Sequence, residues 1–150
     1  MRGTAPVVDA SVAIKWVPEE PFTDQASALF DDALARHQLP QAPPHLPGEV
    51  VNAIYRRTRR TSVTAIPPDE ARLAVSHFLR LPIAVVAPPG LYEEAYAIAE
   101  AQRLASIYDG LYVALAKIVG ADLWTADERL LNAVRTFAPW VRWIGEYRSA

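Results

Sequence analysis

The sequence predicts a single α/β domain over residues 1–150, built on a mainly parallel sheet of four to five strands flanked by helices. Three observations predict it. Strand-like apolar runs near 6–9, 83–87 (IAVVA), 122–125 (DLWT) and 141–144 (VRWI), with a weaker one at 39–42, alternate with longer segments of helical period, the pattern of parallel strands joined by crossover helices. The 150 residues are 51% hydrophobic, enough for one sizeable core. The proline-dense stretches PQAPPHLPG (40–48) and TAIPPDE (64–70) read as connections inside that unit, because neither flank would fold alone.

Val7 and Val8 are the tail of a buried first strand, which Asp9 ends. Ser11 follows as a helical pattern begins, with Val12 and Trp16 on one side and Pro18 closing it. The expected helices are 11–17, 23–37, 46–59, 68–80, 91–104, 107–119 and 127–136. Ser106 is placed to cap the sixth. Thr125 is placed to cap the seventh, with Glu128 at the capping-box position. Tyr92, Tyr96, Tyr108 and Tyr112 recur at helical spacing and read as core or dimer interface, while Trp140 and Trp143 close the last strand as packing.

The bulk numbers exclude several functions. A net charge of −2 creates no global field for nucleic acid or an anionic membrane, so any polyanion contact must come from a local patch. With no cysteine there is no disulfide, thiol nucleophile or thiolate metal site. No apolar run approaches the roughly 18 residues of a spanning helix, and no charged-then-apolar leader opens the chain. A soluble, cytoplasmic protein without membrane contact is the expectation. The 13 arginines against 2 lysines suit a GC-rich genome and say little about function.

Four acids stand at element boundaries. Asp9 lies between the first strand and helix, Glu49 in the first turn of LPGEVVNAIY, Asp109 three residues after Ser106, and Asp127 two after Thr125. Each alone is explained by helix starts, where free N–H groups and the dipole favour carboxylates. In a parallel α/β fold, however, the edge where strands end is also where the next helices begin, and ligand crevices open outside that edge. Acids separated by 40, 60 and 18 residues are thereby biased to one rim. Mg²⁺ and Mn²⁺ take oxygen ligands of this kind, often bridging carboxylates to a phosphate. Asn52, one turn after Glu49, shares its helix face, and Ser11 and Thr125 stand close enough in sequence to support the neighbouring acids. Capping and a shared site both remain open readings of these residues.

These stretches resemble the PIN-domain family, and within it the VapC-type toxins of toxin–antitoxin pairs. The resemblance runs through VVDASVAIKW, APPHLPGEVVNAIYR and YEEAYAIAEAQRLASIYDGLYVALAKIVGADLWTADERLL. It places Asp9, Glu49, Asp109 and Asp127 on the family's four acidic positions, and Ser11, Asn52 and Thr125 on polar positions beside them. Two departures are Gly110, where alanine is common, and the Pro47-Gly48 lead into Glu49. The resemblance implies a Mg²⁺- or Mn²⁺-dependent endoribonuclease, usually a homodimer, silenced by a small antitoxin. It implies that Asp9, Asp109 and Asp127 hold the metal while Glu49 positions or deprotonates the attacking water. That chemistry needs no histidine, and His37, His45 and His77 have no evident acid partner in the sequence.

YRRTRR (55–60) is the one dense basic patch. Arg56, Arg57, Arg59 and Arg60 either complement a helix C-terminus, contact phosphates along RNA or pair with an acidic antitoxin tail. The patch stands roughly 15 Å along the helix from Glu49, so it would touch flanking RNA, with Tyr55 as a stacking candidate. Three rivals stand against the toxin ribonuclease. A PIN-like module without catalysis is opposed by the intact acids. A phosphotransfer or receiver domain is opposed by Asp-Ala-Ser where Asp-x-Asp-x-Thr would be expected. A related metal-dependent DNA nuclease shares the metal chemistry.

Overall fold

The computed structural model describes residues 3–17, 20–59, 61 and 65–149. In chain order these form β1 (Val7–Val8), α1 (Ala10–Ala13) running into a 3-10 turn at Ile14–Trp16, α2 (Thr23–Ala35), β2 (Gln41–Ala42), α3 (Leu46–Thr58), α4 (Pro68–Phe78), β3 (Ala84–Val85), α5 (Leu91–Gln102), α6 (Ile107–Val119), β4 (Leu123–Thr125), α7 (Glu128–Val134), β5 (Val141–Trp143) and a last 3-10 turn at Ile144–Glu146. Every expected strand and helix is present, the strands being shorter than their apolar runs. The first helix tightens into its 3-10 turn after Ala13, and α2 ends early where His37 takes a left-handed φ of 56°.

All strand pairs are parallel, in the order β3-β2-β1-β4-β5. The chain therefore builds outward from β1 through β2 to β3 and then returns to lay β4 on the other side of β1. The switch point between β1 and β4 is where an open parallel sheet makes its crevice, at the carboxyl ends of the strands. Asp9 follows β1 there, and Thr125 ends β4.

Side-chain alternation divides the two halves of the core. Val7 joins the large cluster built on α3, α5 and α6, whereas Val8 points to a smaller one with Val12, Ala26, Leu29, Ile144 and Tyr147. Helix α6 is deeply enclosed, with every residue from Gly110 to Ala116 buried, which is why GLYVALA lacks a polar face. Gly110 has a packing reason: a Cβ there would stand 2.6 Å from the Ala95 carbonyl oxygen of α5. That close approach explains glycine in place of the alanine expected from resemblance. Gly48 has open space around it and no such requirement. Pro47 lies in the first turn of α3, where its missing N–H removes no helical bond. Among the described residues no helix is long and apolar enough to cross a membrane.

Candidate active site

Asp9 is the N-cap of α1, its Oδ1 accepting from the Val12 N–H at 3.1 Å, so the capping reading of this residue is correct as far as it goes. Capping does not use the whole carboxylate. The Ser11 hydroxyl also donates to Oδ1, and the Thr125 hydroxyl donates to Oδ2, both at 2.5 Å. Ser11 in turn accepts from the Ala126 N–H at 2.8 Å, and Thr125 from the Asp127 N–H at 3.0 Å. Two loops 115 residues apart are thus tied through one buried carboxylate, which is 4% exposed. Burial raises the Asp9 pKa from 3.8 to about 6; the Ser11, Thr125 and Val12 hydrogen bonds oppose the shift, and repulsion from Asp127 adds to it.

One capping expectation needs correction. Asp127, not Thr125, caps α7, its Oδ1 accepting from the N–H groups of Arg129 (2.9 Å) and Leu130 (3.3 Å). The helix starts at Glu128, so Thr125 lies too far back and turns its hydroxyl to Asp9 instead. Ser106 caps α6 as expected, accepting from the Asp109 N–H at 3.4 Å.

Glu49 sits in the first turn of α3 and reaches α6, where the Tyr112 hydroxyl donates to its Oε2 at 2.6 Å. Desolvation raises the Glu49 pKa and this hydrogen bond restrains the rise. The Tyr112 phenol is held protonated by burial and by the negative charges of Glu49 and Asp9. His45 corrects the expectation that no histidine has an acid neighbour: its Nε2 lies 3.5 Å from Glu49 Oε2. Neither ring nitrogen makes a well-formed hydrogen bond among the described residues, and the ring is packed between Tyr108 and Tyr112 at 5.0 and 4.7 Å. Burial lowers the His45 pKa from 6.5 to about 4, leaving the imidazole neutral at physiological pH.

Asp109 closes the group. Burial raises its pKa, then repulsion from Asp127 and Glu49, while Arg129 relieves part of that repulsion. Charge coupling therefore runs from Asp9 to Asp127, from Asp127 to Asp109 and from Asp109 to Glu49. The four acids are thus linked in pairs along the edge where strands end and helices start. Among the described residues no three carboxylates or imidazoles stand together as a ready-made metal cage. The donor chemistry nonetheless fits a hard cation: the groups are all oxygen, and the raised pKa values of Asp9 and Asp109 come first from burial of the carboxylates and then from repulsion by a neighbouring acid.

The remaining candidates are not drawn in. Asn52 is exposed on α3 and makes no hydrogen bond to the described residues. Arg57 is half-buried and paired with Glu20 at 2.9 Å, in a network that also holds the buried Lys15. Arg59 lies over the Tyr55 ring and bonds its hydroxyl at 3.3 Å. Arg56 is exposed, and Arg60 lies outside the described residues. Tyr92, Tyr96 and Tyr108 are exposed and only Tyr112 is core. Tyr112 and Arg129 are the site residues that sequence reasoning missed. The one available signal for Tyr112 was a phenol inside the apolar run GLYVALA, since a buried hydroxyl must find a partner. That its partner is 63 residues away was not legible.

A family model described as "PIN domain" matches residues 7–135. The ribonuclease VapC12 of Mycobacterium tuberculosis is 32% identical over 127 residues, covering 85% of this chain and 90% of that protein. The VapC ribonuclease Mb0985 of Mycobacterium bovis is 29% identical over 137 residues, covering 89% and 94%. Among solved structures, PAE2754 from Pyrobaculum aerophilum superposes with a TM-score of 0.63 at 20% identity, covering 95% and 92% of the two chains. VapC20 of M. tuberculosis, described as a sarcin-ricin loop cleaving toxin, superposes with a TM-score of 0.58 at 18% identity, covering 86% and 95%. At those identities the two structures establish the fold.

Proposed function

The chain belongs to the PIN-domain family, and from that premise we propose that it is a Mg²⁺- or Mn²⁺-dependent endoribonuclease, the toxin of a VapBC-type pair acting in the cytoplasm. What supports this reading is the chain of charge repulsion that links Asp9 to Asp127, Asp127 to Asp109 and Asp109 to Glu49 beside the carboxyl ends of β1 and β4. The whole chain serves as one catalytic unit, since β5, beyond the matched residues, completes the sheet against β4.

Asp9, Asp109 and Asp127 are the residues that would hold the cation. When bound, such an ion supplies positive charge at the phosphate and lowers the pKa of water. Glu49 takes the proton of the attacking water on Oε1, since Oε2 is engaged by Tyr112. Its raised pKa suits a base working nearer neutrality. Water adds to phosphorus, the bond to the 3′ oxygen breaks and that oxygen takes a proton from solvent, so the products carry a 5′-phosphate and a 3′-hydroxyl. Ser11 and Thr125 hold the Asp9 carboxylate in one orientation throughout. A cognate antitoxin silences the site by inserting an arginine or lysine beside Asp9 and Asp109. Homodimerisation through the exposed Tyr92 and Tyr96 of α5 completes the assembly.

The purified protein is expected to cut RNA with Mg²⁺ or Mn²⁺, to stop on chelation, and to leave DNA of the same sequence intact. Full activity in excess chelator sinks the mechanism, and equal cutting of DNA favours the DNA-nuclease alternative. Tyr112→Phe keeps the ring and removes the hydroxyl from Glu49. A hydrogen bond to a charged group is worth about 1.5–3 kcal/mol, so kcat is expected to fall by roughly 10- to 100-fold with little change in KM. The acid limb of the pH–rate profile should move to higher pH, because the deleted bond was holding the Glu49 pKa down. An unchanged profile would remove Tyr112 from the mechanism.

A further inference from the structure

Beside the acids a cleft of about 200 Å³ opens between the α5–α6 connection and α7, lined by Asp109, Asp127, Leu104, Leu130, Arg103 and Arg129. We propose that Arg103 and Arg129 form a phosphodiester-binding subsite that seats the RNA backbone next to the phosphate held at the acids. The proposal rests on the ribonuclease reading and names the part of the protein that grips its substrate.

Several observations point to an anionic ligand here. Arg103 terminates α5 with φ 52° and ψ 46°, a left-handed conformation that glycine adopts more easily than any side-chain-bearing residue. An arginine kept at such a position is an outlier that asks for a use. Its side chain is exposed and has no ion pair or hydrogen bond among the described residues, so folding does not employ it. Arg129 reaches Asp127 only at 3.5 Å, and its side chain is 84% exposed. That tether is weak enough to yield to a phosphate, which the planar guanidinium fork can bind through two N–H groups.

Electrostatics favours the same assignment. A polyanion approaching Asp109 and Asp127 meets like charge, and the two cations flanking those acids relieve that repulsion where the backbone must pass. The basic end of α3 is less suited to this, although Arg56 is exposed there. Arg57 is engaged by Glu20, Arg59 lies over Tyr55, and the segment stands roughly 15 Å along α3 from Glu49. The substrate grip therefore belongs to the α5–α6 connection and α7.

The test is binding of a short fluorescein-labelled single-stranded RNA in chelator, followed by anisotropy, beside steady-state cleavage with Mg²⁺. Arg103→Gly is the decisive variant because fold and function pull in opposite directions. Glycine suits the left-handed position, so the melting temperature should hold or rise, while RNA affinity should fall by about tenfold. The slope of log affinity against log salt should flatten by about 0.7, the value for one fewer phosphate neutralised on a single strand. In cleavage the defect should appear in KM more than in kcat. Arg103→Lys should recover part of the affinity, and Arg129→Gln should lower affinity as Arg103→Gly does. Arg72→Gln, which removes a cation on α4 outside the cleft, should change affinity less than twofold. Wild-type cleavage with unchanged affinity and salt slope in Arg103→Gly overturns the subsite and leaves the ribonuclease reading standing. Weakened affinity that appears only together with unfolding overturns it as well. A wild-type protein that neither binds nor cuts RNA overturns both.

Discussion

Replacing Asp9 by asparagine is expected to reduce RNA cleavage by about 10³-fold, the loss of several kcal/mol of charge stabilisation at the phosphate, while leaving the metal-free protein folded. The geometry explains why these two outcomes separate. Asparagine retains an oxygen for the Val12 N–H and the Ser11 hydroxyl, so α1 keeps its cap. Its amide replaces Oδ2 and donates to the Thr125 hydroxyl, which reverses its role and still accepts from the Asp127 N–H. One anionic ligand is removed, and the Thr125 hydroxyl hydrogen turns to the Ser11 oxygen 3.4 Å away. Added Mg²⁺ should then raise the melting temperature of the parent more than that of the variant, because an ion stabilises only the state that holds it. If Asp9 were a helix cap and nothing more, cleavage would survive and Mg²⁺ would shift both proteins alike. Paired melting curves and a cleavage gel distinguish the cases.

The features legible in the sequence share one property: they are local. Asp9, Asp109 and Asp127 stand at helix starts, which helical period and capping chemistry mark within a few residues, and parallel topology carries those starts to a common rim. What was not legible depends on contacts between distant segments. The Thr125 hydroxyl had two plausible partners, the free N–H groups of its own helix, from which it would accept, and a carboxylate 116 residues away, to which it would donate, and only the paired register of β1 and β4 decides for Asp9. Glu49 and Tyr112 meet because α3 and α6 pack on the same face of the sheet, a fact that periodicity within either helix does not contain. The arginines after Tyr55 read as one patch, yet burial sends Arg57 to Glu20 and leaves Arg56 in solvent. The strands β2 and β3 were harder to delimit than any helix, since two-residue strands offer almost no alternation to read.

The second large effect is a stability difference that opens with pH. Asp9 binds its proton more tightly in the folded protein, with a pKa of about 6 against an ordinary 3.8. Between those values the native state holds more protons than the unfolded chain, so Asp9's contribution is complete below pH 3.8 and is lost as pH rises through about 6. The loss is on the order of 3 kcal/mol. His45 works the other way: with its pKa lowered from 6.5 to about 4, the unfolded chain holds the extra proton, and stability rises with pH across that window. The two slopes oppose each other in the metal-free parent, where a pH titration alone would look shallow. Comparison with Asp9→Asn removes the histidine from the balance, because His45 is common to both proteins. Near pH 4 the protonated acid and the amide are nearly isosteric and the two should melt together. By pH 7 the variant should melt higher by roughly 6–12 °C, the shift that this free-energy difference produces in a chain of this size. Mg²⁺ should close the gap at pH 7, since an ion at about 100 times its Kd returns about 2.7 kcal/mol to the protein that binds it. Melting curves that run parallel from pH 4 to pH 7 would mean that Asp9 carries no buried charge for a cation to neutralise, and the site would have to be rebuilt around Asp109 and Asp127.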